Sequence, residues 1–288
     1  MKNMMLWFLL ACIWAATFPA IKIGIQTMQP MTLVAHRMII AALVLLAFIV
    51  YKRIPLHTSI SIWLHGIAIG LTGNVIPFFL ISWGETTVDS SVAAVLMGLT
   101  PIVTVFLASL LFADEPLTGR KVAGLSLGIS GLLILVGVGV FSEAGQHVPG
   151  LLAIAMAAVF YALNTLYVRK FVHQGGIMLA FVACLAGALI TSPVAIAVDK
   201  EQFFQMPSLS ALLALLYLGV IATALATFVY LYLIPKIGAG RMSQINFLIP
   251  VLGAFFGVVL LNETLDANLI IALITVIGAV YLVNREKG

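Results

Sequence analysis

Arg37 is the residue whose chemistry is hardest to place without a purpose. It lies within an apolar run, about six residues in and roughly 10 Å from the run's end. An arginine in lipid costs at least about 2.5–3.5 kcal/mol, so it must face protein or water and find a partner. Its planar fork suits a substrate carboxylate or phosphate. The alternative is a structural arginine that bonds helix-end carbonyls or extends its head toward water. His36 beside it is either a proton relay or a satisfied polar residue.

Polar and aromatic residues recur at helical spacing in other apolar runs. Trp14 and Phe18, four apart, share a face, as do Asn74 and Phe78. Tyr161 and Asn164 are three apart, and Thr223, Thr227 and Tyr230 form a fourth such group. Asn246 is matched by Met97 at the repeat-equivalent position. Amides and hydroxyls in lipid must be hydrogen-bonded. The partner is either a substrate or a neighbouring helix. Pro101 and Pro250 lie near the middle of their runs, where a proline removes a ladder bond and kinks the helix. They are candidate hinges.

Other chemistry is missing. There is no His-Glu-x-x-His, no pair of intramembrane aspartates and no Walker loop, so an enzyme or an ATP-driven pump is not expected. No metal site and no cofactor is implied. All ten acidic residues sit at loops, ends or boundaries of the apolar runs. Ion-coupled carriers usually hold a carboxylate inside the membrane. Glu85 and Asp89, at a boundary, would serve poorly. Facilitated transport, exchange, or proton coupling through His36 is therefore expected, with substrate–proton antiport left open. Glu115 and Glu263 are expected to cap helix N-termini.

These residues are carried by a chain of 288 residues that is 63% hydrophobic and 8% charged. A soluble domain has about 25% charged residues, so too little polar surface exists to face water. Apolar runs fall at about 4–23, 31–51, 62–84, 88–112, 120–140, 150–171, 177–198, 209–234, 241–261 and 267–283. Each is long enough to span a bilayer, which takes about 20 residues. The first run exceeds the 7–15 residues of a signal-peptide core and reads as a retained span. Cys12 and Cys184 each lie inside an apolar run, without ligand spacing. The formal charge of +4 does not indicate nucleic acid, since no basic run exceeds two residues.

Eleven of the fourteen lysines and arginines fall at the ends and in the even-numbered loops, with only Lys22 and Lys200 in the odd ones. This bias places both termini in the cytoplasm. The stretch Gly70 to Asp114 matches Gly219 to Glu263 at an offset of 149, with Phe79 on Phe228 and Pro101 on Pro250. Five runs per half is an odd number, so the second half must enter the membrane inverted. The expected fold is an all-α integral membrane protein of ten transmembrane helices in two inverted five-helix repeats, residues 1–141 and 150–288. Interrupted helices at matching positions of such repeats mark a transporter's binding site.

The chain resembles the EamA-type transporters of the drug/metabolite transporter superfamily. The resemblance rests on Trp14 to Lys22, His36 to Ala41, Pro77 to Glu85, Thr100-Pro101 with Asp114-Glu115, Ala222 to Ala226, and Pro250 with Asn262-Glu263. It implies ten helices, export or exchange of small metabolites, and a cavity lined by spans one, three, four, six, eight and nine. The expected function is alternating-access transport of an amino acid or similar amphipathic compound across a bacterial inner membrane. The substrate-binding candidates are Trp14, Phe18, Arg37, Asn74, Phe78, Met97, Tyr161, Asn164, Thr227, Tyr230 and Asn246. Expected partners are a small-molecule substrate and membrane lipid, with no nucleic acid, in a monomer or homodimer. A channel-like facilitator and a non-transporting membrane receptor are the alternatives.

Overall fold

The computed structural model describes residues 2–56, 59–112, 117–136, 147–171, 176–230, 232–233, 236, 245–265 and 267–284. Every regular element among them is helical. In order they are α1 (Lys2–Ala15), α2 (Thr17–Gly24), α3 (Pro30–Tyr51), α4 (Ile60–Ile69), a π-helix (Gly70–Val75), α5 (Ile76–Gly84), α6 (Ser90–Leu96) and α7 (Leu99–Leu111). Then come α8 (Gly119–Val136), α9 (Val148–Phe171), α10 (Ile177–Asp199), a 3₁₀ turn (Lys200–Phe204), α11 (Leu209–Leu216) and a second π-helix (Tyr217–Leu225). Last are α12 (Ile245–Leu261) and α13 (Ala267–Asn284). Seven helical stretches among the described residues are long and apolar enough to cross a membrane, and α12 and α13 contribute shorter apolar stretches.

Two of the crossing stretches are broken, and proline explains both breaks. Pro19 has no N–H for the Ala15 carbonyl, and α1 gives way to α2 at Ala16. Pro101 has none for Met97; the Thr100 N–H bonds the Met97 carbonyl instead at 3.0 Å, and α6 gives way to α7. Pro250 lies inside α12, which runs through without interruption.

The packing inverts the pattern of a soluble protein. Leu43, Val50, Leu64, Leu110, Leu189 and Ile274 are exposed, while alanines such as Ala11, Ala35, Ala93, Ala157 and Ala272 are buried. Small residues let helix backbones approach where lipid tails remove the hydrophobic drive between helices. Helix α3 packs along α10, α8 along α13, α5 against α9, and α1 and α6 against α12.

The two π-helices are built alike. Gly70 opens one, and a Cβ there would sit 2.6 Å from the Ala183 carbonyl oxygen of α10. Gly219, at the offset of 149, lies in the other, where a Cβ would meet Ile40 of α3 at 2.6 Å. The helices leading into them start alike too. Ser59 caps α4 by accepting from the Ile62 N–H, and Ser208 caps α11 by accepting from the Ala211 N–H.

Candidate functional site

Helix α3 carries Arg37 into the interior, where it is buried. Its Nε donates to Thr223 Oγ1 at 2.9 Å. Thr223 in turn donates to the Leu218 carbonyl at 2.8 Å, five residues back, which ties its side chain into the second π-helix. The guanidinium carbon lies 3.6 Å from the Phe78 ring centroid. Tyr161 packs on the same small apolar cluster as Phe78, with Val34 and Met38. Among the described residues no carboxylate lies within ion-pair distance of Arg37. One neutral hydrogen bond and one aromatic face offset only part of the cost of a buried cation.

The other candidates fall into separate groups. Asn164 of α9 reaches the first π-helix, its Oδ1 3.1 Å from the Thr72 hydroxyl, which also lies 2.7 Å from the Ala68 carbonyl. Asn74 in that π-helix is half-buried. Trp14 meets Tyr230, ring centroids 5.9 Å apart, and Thr227 donates to the Thr223 carbonyl. Phe18 and Met97 are buried in the main apolar core rather than beside Arg37. Asn246 lies in α12, and its side chain is outside the described residues. Pro101 stands at a helix break and Pro250 within a continuous helix.

Sequence reasoning missed Tyr217. Its hydroxyl donates at 2.7 Å to the Ile13 carbonyl, beside the break between α1 and α2. The signal was present, because a tyrosine inside an apolar run needs a partner for its hydroxyl. His36 does not face Arg37. Its ring stacks on Phe203 at 4.6 Å and its Nδ1 lies 3.0 Å from the Thr32 carbonyl.

A second polar group sits where α2 ends and α6 begins. The Lys22 ammonium donates to the carbonyls of Glu85 and Val88, both at 2.7 Å, and lies 4.0 Å from Asp89. Glu263 caps α6 from across the fold. Its Oε1 accepts from the Ser90 N–H and hydroxyl, and its Oε2 accepts from the Ser91 N–H. Asp199 likewise caps α3, accepting from the Thr32 N–H and hydroxyl. The expected cap by Glu263 thus serves a helix 172 residues away, while Glu115 lies outside the described residues. Glu85 departs from its expected place at a wet boundary: it is 0% exposed. Burial holds its carboxyl well above the usual carboxylate range; nearby Lys22 opposes this and Glu263 adds to it.

Gly124 to Gly128 spell Gly-x-Ser-x-Gly, but inside helix α8 with Ser126 exposed. A nucleophile elbow needs a sharp strand-to-helix turn, so this serine has none of that geometry. Among the described residues no cluster of His, Cys, Asp or Glu is placed to hold a metal ion.

Known proteins place this architecture. The uncharacterized inner membrane transporter YedA of Escherichia coli (strain K12) is 27% identical over 286 residues, covering 97% of this chain and 90% of that protein. A WAT1-related chloroplastic protein of Arabidopsis thaliana is 28% identical, covering 96% of this chain and 67% of its own length. The probable amino-acid metabolite efflux pump of Escherichia coli (strain K12) is 22% identical, covering 98% and 94%. A solved crystal structure shares the fold at a TM-score of 0.69 and 23% identity, covering 98% of this chain and 96% of that one. Two stretches, residues 2–137 and 148–285, match the EamA-like transporter family, and the chain belongs to that family: it is a transporter and not an enzyme.

Proposed function

We propose that the chain is a secondary transporter of ten spans, built as two inverted repeats over residues 1–141 and 150–288, with both termini cytoplasmic. It moves a small amphipathic metabolite bearing a carboxylate, of the amino-acid class, out of the cell or in exchange, by alternating access. Several equivalences at the offset of 149 support the repeat: the Ser59 and Ser208 caps, the two π-helices, and Gly70 with Gly219. The helix pairings also interchange under it. The contact of α9 with the first π-helix has its counterpart in those of α1 and α2 with the second π-helix, and the contact of α7 with α9 in that of α1 with α12. The bias of lysine and arginine supports the orientation.

The observation that carries the substrate class is Arg37. It is buried between Phe78 of the first half and Thr223 of the second, and no described carboxylate neutralises it. A substrate carboxylate would supply the missing charge and touch both halves at once. The probable amino-acid metabolite efflux pump named above is consistent with that chemistry. The interrupted helices nearby fit a transporter binding site.

The test is a thermal-shift screen of the purified protein against amino acids and their carboxamides. A ligand that binds only the folded state raises the melting temperature, and the rise grows with the logarithm of its concentration above Kd. The expected result is a shift with at least one free acid and none with its amide, and loss of that shift in Arg37→Gln. An amide that stabilises the protein as well as its acid would overturn the assignment. Counterflow in proteoliposomes with the stabilising acid then separates a carrier from a channel.

A further inference from the structure

The Glu85 carboxyl takes no part in the site around Arg37. It follows α5, just beyond the stretch Ile60–Gly84 that crosses the membrane. It is 0% exposed, and neither carboxyl oxygen has a hydrogen-bond partner; nor does the buried Ser91 hydroxyl. A buried ion is strongly disfavoured unless paired and bonded, so a carboxyl in this place holds its proton. The charged and titratable groups packed around it come from four elements. Lys22 belongs to α2, Asp89 precedes α6, Glu263 follows α12, and His147 precedes α9 with its Nδ1 against the Thr87 carbonyl.

The lid over this carboxyl is made by both halves of the chain. Glu263 reaches the start of α6 because position 257 is glycine; a Cβ there would collide with its Oε2. Gly150 brings the start of α9 onto the turn, where a Cβ would meet Thr87 and Val88. Parting the halves at this end would break the Glu263 caps and admit water to Glu85. Lys22, already bonded to the Glu85 carbonyl, is then available to pair with the carboxylate.

We propose that the Glu85 carboxyl is a proton-binding site that governs closure of the outer end of the bundle: that end closes with one proton bound and opens with its release to the outer solution. No covalent bond changes; one proton passes between the carboxyl and water. The raised affinity of the buried carboxyl for its proton agrees with this. The inference rests on the alternating-access reading, which supplies the opening.

The test is thiol labelling of Ser91→Cys, with Cys12→Ser and Cys184→Ala, in lipid nanodiscs. A hydrophilic maleimide is the probe, and rates are referred at each pH to the denatured protein. Glu85 variants are Gln and Leu. With Glu85 present, labelling slows as pH falls, by about tenfold per pH unit where closure takes up one proton. With Gln or Leu it is slow and flat. The same pH profile in the presence and absence of the carboxyl overturns the role of Glu85 and leaves alternating access standing. No labelling at any pH in any variant overturns both. Infrared difference spectra need no variant: wild-type protein near neutral pH must show the carbonyl stretch of a protonated carboxyl, and its absence overturns the proposal.

Discussion

Arg37 and Thr223, 186 residues apart, are joined by a 2.9 Å hydrogen bond in which the guanidinium Nε donates and the threonine hydroxyl oxygen accepts. The same hydroxyl donates to the Leu218 carbonyl, so one oxygen fixes both the cation and a turn of π-helix. π-Turns recur at functional sites because they displace a side chain from ordinary helical register. Thr223→Val keeps the shape and removes the oxygen. A buried bond to a charged group contributes about 1.5–3 kcal/mol, so the valine variant should lose stability on that order. Thr223→Ser should stay close to wild type. Chemical unfolding in detergent measures both; equal stability of the valine and serine variants would contradict the assigned bond.

Glu85 gives stability a pH dependence of definite sign. Its carboxyl binds a proton more tightly in the folded chain than in the unfolded one, mainly through burial. The folded state thus holds more protons, and the contribution is fully present below the unfolded carboxyl's ordinary value. It is lost as pH rises from there through the raised folded value, at about 1.4 kcal/mol per pH unit. Melting temperature should fall with rising pH in the wild type. In Glu85→Gln that component should vanish, and an unchanged slope would show that another group titrates.

Glu263 acts on the same end in two ways. It accepts three hydrogen bonds at the start of α6, and its charge raises the affinity of Glu85 for a proton. Glu263→Gln weakens the cap, and cap losses cost about 0.5–2 kcal/mol. It also removes a negative neighbour of Glu85. The variant should label faster at Ser91→Cys than the wild type does. Its pH profile should also move toward lower pH, since Glu85 now ionises more easily. Faster labelling with an unmoved profile would mean that the two carboxyls do not interact.

Arg37 is conspicuous in the sequence because a charge in an apolar run has no cheap explanation. The crossing helices are legible for the same reason, since runs of apolar residues bounded by loops admit few readings. The breaks at Ala16 and after Leu96 follow from Pro19 and Pro101. Pro250 shows the limit of that logic, because α12 absorbs it. The π-helices were invisible, as α- and π-turns share one apolar pattern. Glu85 is legible only as a boundary carboxylate, and its burial is not. It stands between the end of α5 and a loop, and α2, α9 and the Glu263 segment, all distant in sequence, pack at that turn. Phe18 and Met97 have the same lesson: helical spacing assigns a face, but only packing says whether that face meets a cavity or a core.

The paired glycines of the π-helices each face an obstacle that side-chain rotation cannot clear. A Cβ at position 70 would sit 2.6 Å from the Ala183 carbonyl oxygen, which is backbone and held in α10. A Cβ at position 219 would sit 2.6 Å from Ile40 Cγ2 and 2.8 Å from Ile40 Cβ, which no rotamer change moves. Inserting one methyl into a packed interior costs about 1–3 kcal/mol when neighbours cannot move. Gly70→Ala and Gly219→Ala should both fall in that range, and wild-type stability of either variant would contradict its close approach. Melting temperatures of the two single variants and the double variant measure this. Position 219 is the more sensitive for activity: displacing the second π-helix from α3 moves Thr223 away from Arg37. Counterflow should therefore drop further in Gly219→Ala than in Gly70→Ala, and the reverse order would mean that the first π-helix, not the second, sets the geometry of the site.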